Sequence, residues 1–141
     1  MEKINYFFED IDYKFERNTQ INDWISEVIK TENFNLHYIN YVFCSDEHLL
    51  TVNKRYLNHN YYTDIITFNN ADDDNLIESD LFISLERVAD NAKTNGTTME
   101  KELYRVMIHG VLHLLGYNDK TKEEQIEMRE KENAYLSLLP F

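Results

Sequence analysis

Residues Ile108 to Lys120 read IHGVLHLLGYNDK, which sets two imidazoles, two glycines and a carboxylate at HxxxHxxGxxD spacing. Side chains four apart on an α-helix lie one above the other, so His109 and His113 can offer ring nitrogens to a single ion. Gly116 can take the left-handed conformation that ends a helix, turning the chain back and returning Asp119 toward the two histidines. The stretch therefore demands a helix, a tight reversal and a returning carboxylate, and the remaining elements must pack round that helix. Three protein ligands on a zinc-sized ion leave a fourth position for water or substrate, as in catalytic sites and unlike closed structural ones. Histidine pairs at this spacing also occur as plain surface groups. Their neighbours favour ligation: Gly110 costs about 1 kcal/mol against alanine inside a helix, so its place between the histidines predicts a close approach to the backbone there.

The motif helix is expected over about Thr98 to Leu115, opened by a capping box of Thr97 and Glu100. Its apolar stripe of Leu103, Val106, Met107, Gly110 and Leu114 must face a core. Lys101, Arg105, His109 and His113 follow at intervals of four beside that stripe, and Lys101 and Arg105 read as ordinary solvated charge. Glu102 precedes His109 by roughly 10 Å along the axis, too far to share its ion.

Ile4 to Phe8 reads as a strand, with Tyr13 and Phe15 prolonging an extended segment. Asn18 or Thr19 can cap a helix whose apolar residues Ile21, Trp24, Ile25, Val28 and Ile29 fall at helical spacing, ending near Lys30. Leu36 to Cys44 is a β-branched and aromatic strand, and Ser45 or Asp46 caps a helix through Leu49, Leu50, Val52 and Asn53. Thr63 to Phe68 and Leu76 to Ser84 flank the acidic turn NNADDDN as a hairpin. Ser84 caps a further helix that Asn95 and Gly96 end, and Thr121 with Glu124 opens the last by a capping box. Strand, helix, strand order implies a parallel crossover; with the hairpin, the sheet is mixed and the class α+β.

A chain of 141 residues fits one domain, 1–141, able to bury its own core. Cys44 is the single cysteine, which excludes an intrachain disulfide and fits a reducing cytosol. The start, MEKINYFFED, does not read as a signal peptide, and no apolar run reaches membrane-spanning length. These features point to a soluble, cytoplasmic protein. Its 14 basic and 26 acidic side chains give a net charge of −12, which works against long-range attraction to nucleic acid. A local basic patch or a bound divalent cation can reverse the potential at one cleft.

The ligand frame resembles the HExxHxxGxxH motif of the metzincin metalloproteases, with Gly110 in place of the glutamate and Asp119 in place of the last histidine. That glutamate is the general base of those enzymes, so a peptidase working by that route lacks its base here. HGVLHLLGYND, His109 to Asp119, is more similar to the HGxLHLxGYDH signature of the YbeY family, metal-dependent endoribonucleases and ribosomal-RNA maturation factors of bacteria. VNKRYLNHNYYTDIITF, Val52 to Phe68, resembles the family's LNxxYRxxDxPTDVLSF segment, and SDLFIS, Ser79 to Ser84, its GDIxIS strand. The resemblance covers roughly Val52 to Leu136. It implies a four-stranded mixed sheet with helices, a site for one zinc ion, and single-strand-specific RNA hydrolysis. The implied partners are ribosomal RNA and the small ribosomal subunit, in maturation and ribosome quality control.

The chain departs from the family pattern at three places. Asp119 stands at the position of the third histidine; it can bind zinc through oxygen but adds negative charge and weakens the Lewis acid. Leu57 replaces an arginine, so that role is not carried over; His59, two residues on, is a candidate to replace it, though a lone histidine in a polar loop reads first as exposed. Asn118 replaces the motif's aspartate. Asp64 is a candidate for orienting a ligand histidine, against the plainer role of an acid capping a strand start. The general base is unassigned. A metal-dependent RNA hydrolase is the leading expectation, a ribosome-associated RNA-binding factor with a structural or vestigial metal site the second, and a metallopeptidase-like hydrolase the third.

Overall fold

In the computed structural model, which describes residues 3–141, the β-branched and aromatic runs form four strands. These are Ile4–Phe8 (β1), Asn35–Cys44 (β2), Ile65–Asn69 (β3) and Leu76–Ser84 (β4), joined in one sheet in the order β1-β2-β4-β3. The helix Asn18–Thr31 (α1) carries the chain between β1 and β2, which pair in parallel from Ile4 opposite Ile39 to Phe8 opposite Phe43. Strands β2 and β4 are parallel as well, while β3 and β4 form the antiparallel hairpin round the acidic turn. Four further helices complete the α+β fold: Asp46–Leu57 (α2), Leu85–Thr94 (α3), Met99–Leu114 (α4) and Lys122–Leu136 (α5). Among the described residues no helix is long and apolar enough to cross a membrane.

Alternation along the strands sorts side chains onto two faces. Tyr41, Phe43, Ile77, Leu81 and Ile83 enter the main core with α1, α3, α4 and α5, whereas Cys44 and Ile66 meet Leu49 and Val52 of α2. The main core closes round α4, which touches α3, α5 and β3. Its expected apolar stripe is buried, and Ile108, Val111 and Leu112 are fully buried beside it. The Tyr41 hydroxyl donates to the Met107 carbonyl at 3.3 Å, and the Trp24 indole N–H ties α1 to α5 through the Tyr135 carbonyl at 2.8 Å.

Local chemistry shifts several expected boundaries. Arg17 is the N-cap of α1 and, having no acceptor, supplies no side-chain bond, while the Asn18 side-chain Oδ1 accepts from the Thr19 N–H at 2.8 Å. Tyr13 and Phe15 are not in a strand; Phe15 stacks on Tyr6 and Phe43, with ring centroids 4.7 and 5.7 Å apart. Strand β3 starts at Ile65, two residues later than Thr63, and α2 runs on past Asn53 to Leu57. Thr98, not Thr97, caps α4, accepting from the Lys101 N–H at 3.2 Å. Thr97 is already committed: its N–H bonds the Ala92 carbonyl at 3.0 Å, closing α3 over Gly96 at φ +65°. Glu100 accepts from the Tyr104 hydroxyl at 3.2 Å.

Candidate metal centre

Gly110 seats α4 on the sheet. A Cβ at this position would stand 2.4 Å from Leu81 Cδ2 and 2.7 Å from Ile65 Cδ1, so the close approach expected from the sequence is that of β4 and β3. With Gly110 facing inward, its neighbour His109 and then His113 fall at the helix edge, where their side chains are 25% and 29% exposed. The helix then ends in a Schellman motif: Tyr117 N–H bonds the Leu112 carbonyl at 3.0 Å and Gly116 N–H the His113 carbonyl at 3.1 Å. Gly116 has φ +102°, a conformation that penalises any side chain. The reversal brings Asp119 back over the last turn, and the Gln125 amide holds its backbone carbonyl at 3.1 Å. Asn118 bonds Glu124 at the start of α5, where the Thr121 and Glu124 capping box is formed as expected.

Three donor atoms converge as a result. His113 Nε2 lies 3.0 Å from His109 Nε2, and each lies 3.3 Å from Asp119 Oδ2. Bonds of about 2.0–2.1 Å at a tetrahedral angle place neighbouring donors roughly 3.3–3.4 Å apart, which this triangle nearly matches. The group could hold a metal ion, and two imidazoles with one carboxylate form a donor set suited to zinc-like cations.

The far side of His109 explains why its Nε2 is free to ligate. Its Nδ1 stands 2.7 Å from Glu132 Oε2 on α5, while Glu132 Oε1 accepts from Arg105 Nη1 at 2.8 Å. Burial opposes ionisation of Glu132, but the bonds from His109 and Arg105 outweigh it and hold the carboxyl below its usual range. An ionised carboxylate only accepts, so in the neutral ring Nδ1 carries the proton and Nε2 keeps its lone pair. Burial likewise disfavours the charged form of His109, yet the bond to Glu132 and the charges of Glu132, Asp119 and Asp64 raise its pKa overall.

Glu132 is the part that sequence reasoning missed, and it takes the role considered for Asp64. Burial raises the Asp64 pKa; its carboxylate accepts from its own N–H and that of Ile65, and it reaches His109 through charge. Helix α5 is polar almost all round, which hid Glu132, although Met128, Glu132 and Tyr135 form a buried row at helical spacing. Arg105 is not solvated charge either: its second guanidinium nitrogen bonds Asn133 at 2.8 Å. Lys101 is exposed, as expected. Glu102 is buried beside Asn95 and stands apart from the three donors. Leu57 is exposed at the end of α2, and His59 beyond it stacks on Tyr61 with centroids 5.1 Å apart.

The sequence model of the family described as Endoribonuclease YbeY matches residues 4–140. A relative named Endoribonuclease YbeY from Cytophaga hutchinsonii is 48% identical over 140 residues, covering 99% of this chain and 98% of its own. One of the same name from Amoebophilus asiaticus is 53% identical over 133 residues, covering 94% and 90%. In fold, the chain is similar to a Thermotoga maritima protein solved in solution, with TM-score 0.66 at 24% identity over 94% of this chain and 87% of the other. Sequence match along nearly the whole length establishes that this chain belongs to the YbeY endoribonuclease family.

Proposed function

We propose that this chain, folded as one domain over residues 1–141, is a cytoplasmic metal-dependent endoribonuclease that cuts single-stranded ribosomal RNA in small-subunit maturation and ribosome quality control. His109, His113 and Asp119 are its ligands for one zinc ion. The observation that carries this reading is the triangle of donor atoms with edges of 3.0, 3.3 and 3.3 Å. The names of its relatives supply the reaction class.

When bound, the ion supplies Lewis acidity toward a phosphodiester oxygen and lowers the pKa of a water. Glu132 keeps the Nδ1 proton of His109 in place and fixes the plane of the ring. Arg105 fixes Glu132 in turn. Asp119 contributes a negative charge where the family motif has a neutral imidazole, which favours holding a cation and softens its acidity. Gly110 cannot be replaced by a protease-like base, since its position is packed against Leu81 and Ile65. The metallopeptidase reading loses support accordingly.

Leu57 in place of the family's arginine favours a second reading, a ribosome-associated factor that binds RNA around a metal site without cutting it. The two separate when purified protein is incubated with single-stranded and duplex ribosomal-RNA fragments, with and without chelator. Cleavage of the single strand that is lost on chelation and in His113→Ala is expected. RNA bound tightly and recovered intact overturns the enzyme and leaves the binding factor.

A further inference from the structure

A cleft of about 680 Å³ opens alongside the N-terminal half of α4, between that helix, α5 and residues 136–141. Four cations line it, Arg17, Lys101, Arg105 and Arg129, against two carboxylates, Glu100 and Glu102. In a chain of net charge −12, those cations favour an anionic occupant so far as they are not already paired. Their availability differs. Arg105 is spent on Glu132 and Asn133, and Arg129 lies 3.7 Å from Glu132. Lys101 is exposed, with no ion pair among the described residues. Arg17 has only a 3.9 Å approach to Glu100 and lies over the Phe141 ring at 4.0 Å.

Asn95, Thr97 and Thr98 add polar lining on one side, and Leu136, Leu139 and Phe141 with the buried Tyr104 form an apolar and aromatic side. Cations beside the exposed Phe141 ring suit a nucleotide, which offers a phosphate and a flat base together, better than an acidic peptide. The cleft neighbours the metal centre, although none of the three donors lines it. Lys101 and Arg105 precede His109 on one helix face by roughly 12 and 6 Å, and the chain of contacts Arg105, Glu132, His109 joins the two places.

We propose that this cleft binds the backbone of the RNA strand beside the cleaved bond, with Lys101 and Arg17 contacting phosphates and the exposed part of the Phe141 ring offering surface to a base. The proposal rests on the endoribonuclease reading for the identity of the strand, and binding tests it apart from turnover. The intact metal-loaded protein and its Lys101→Gln/Arg17→Gln variant are titrated on ice with a fluorescent single-stranded oligoribonucleotide across a salt series. Each phosphate contact on a single strand contributes about 0.7 to the slope of log K against log salt. The double variant should therefore lose about 1.4 in slope and bind about tenfold more weakly, with metal content unchanged.

Should Arg17→Gln disturb the packing on Phe141, Lys101→Gln alone, at an exposed unpaired site, carries the test with half the slope change. Wild-type affinity and slope in Lys101→Gln overturn the proposal. Poly-glutamate held as tightly as RNA of equal charge overturns it in favour of a peptide site. A wild type that binds RNA through Lys101 yet cuts none supports this site and overturns the nuclease reading alone.

Discussion

Truncating Glu132 to alanine removes the acceptor that meets His109 Nδ1 at 2.7 Å and Arg105 Nη1 at 2.8 Å. Nothing in the donor triangle itself is touched, so any loss of metal affinity measures how far the ligand ring depends on its support. Losing such a partner typically costs about 10–100-fold in metal affinity, or about 1.4–2.7 kcal/mol. The upper half of that range is expected here, because the Glu132 side chain is only 5% exposed and water replaces it poorly. Stability suffers separately. Arg105 loses a charge-assisted bond, but its side chain is 24% exposed and water recovers part of the cost, leaving about 1–2 kcal/mol. Glu132→Gln is the informative companion: it can still accept from His109, but its amide has no negative charge to offer Arg105, so roughly a tenfold weakening is expected. Competition against a chromophoric chelator, at a temperature where each variant is folded by circular dichroism, separates affinity from unfolding. Glu132→Ala that holds metal within twofold of wild type refutes the claim that this carboxylate positions the ligand.

Gly110→Ala should destabilise the fold by about 1–2 kcal/mol in denaturant melts, since overpacking against Leu81 and Ile65 exceeds the roughly 1 kcal/mol that alanine contributes in a helix; a more stable variant contradicts the seating of α4 on the sheet. Glu32 is held by the hydroxyls of Tyr117 and Tyr135 and by Lys131 at 3.6 Å. Burial alone would raise its pKa, yet those bonds bring it below the ordinary value. A depressed carboxyl stabilises the fold above its unfolded pKa, about 4.3, and that contribution fades as pH falls through the folded value. Glu32→Gln should accordingly cost about 1–2 kcal/mol at pH 7, with the gap to wild type closing in melts below about pH 4.3; a gap independent of pH contradicts the assignment. Burial pushes the Cys44 thiol up to about 12, so in the folded protein it should resist a thiolate-directed reagent at pH 8 and react at once in denaturant.

Much of this architecture is legible in the sequence because its signals are local and agree with one another. Periodicity places Ile21, Trp24, Ile25, Val28 and Ile29 on the buried face of α1, and Gly116 announces the reversal that returns Asp119. Gly110 reports a close approach, although only the fold shows that Leu81 and Ile65 make it. What stayed hidden depends on contacts between segments far apart in the chain. Glu132 follows His109 by 23 residues in a helix whose composition looks wholly solvated, and Arg105 gains its role only once α5 lies against α4. Thr97 misleads because two helix ends compete for neighbouring threonines, and closing α3 uses the first of them. Asp64 sits where an orienting acid was expected, but its carboxylate turns to the backbone that opens β3.

The central claim is that His109, His113 and Asp119 together hold one ion, with aspartate serving where the family motif has histidine. Elemental analysis of wild type beside His109→Ala, His113→Ala and Asp119→Ala, all purified alike and shown folded, tests it directly. About one zinc per wild-type chain and a severe loss in each variant is the predicted result. Full occupancy in Asp119→Ala contradicts the account, because the third corner of the triangle must then lie elsewhere.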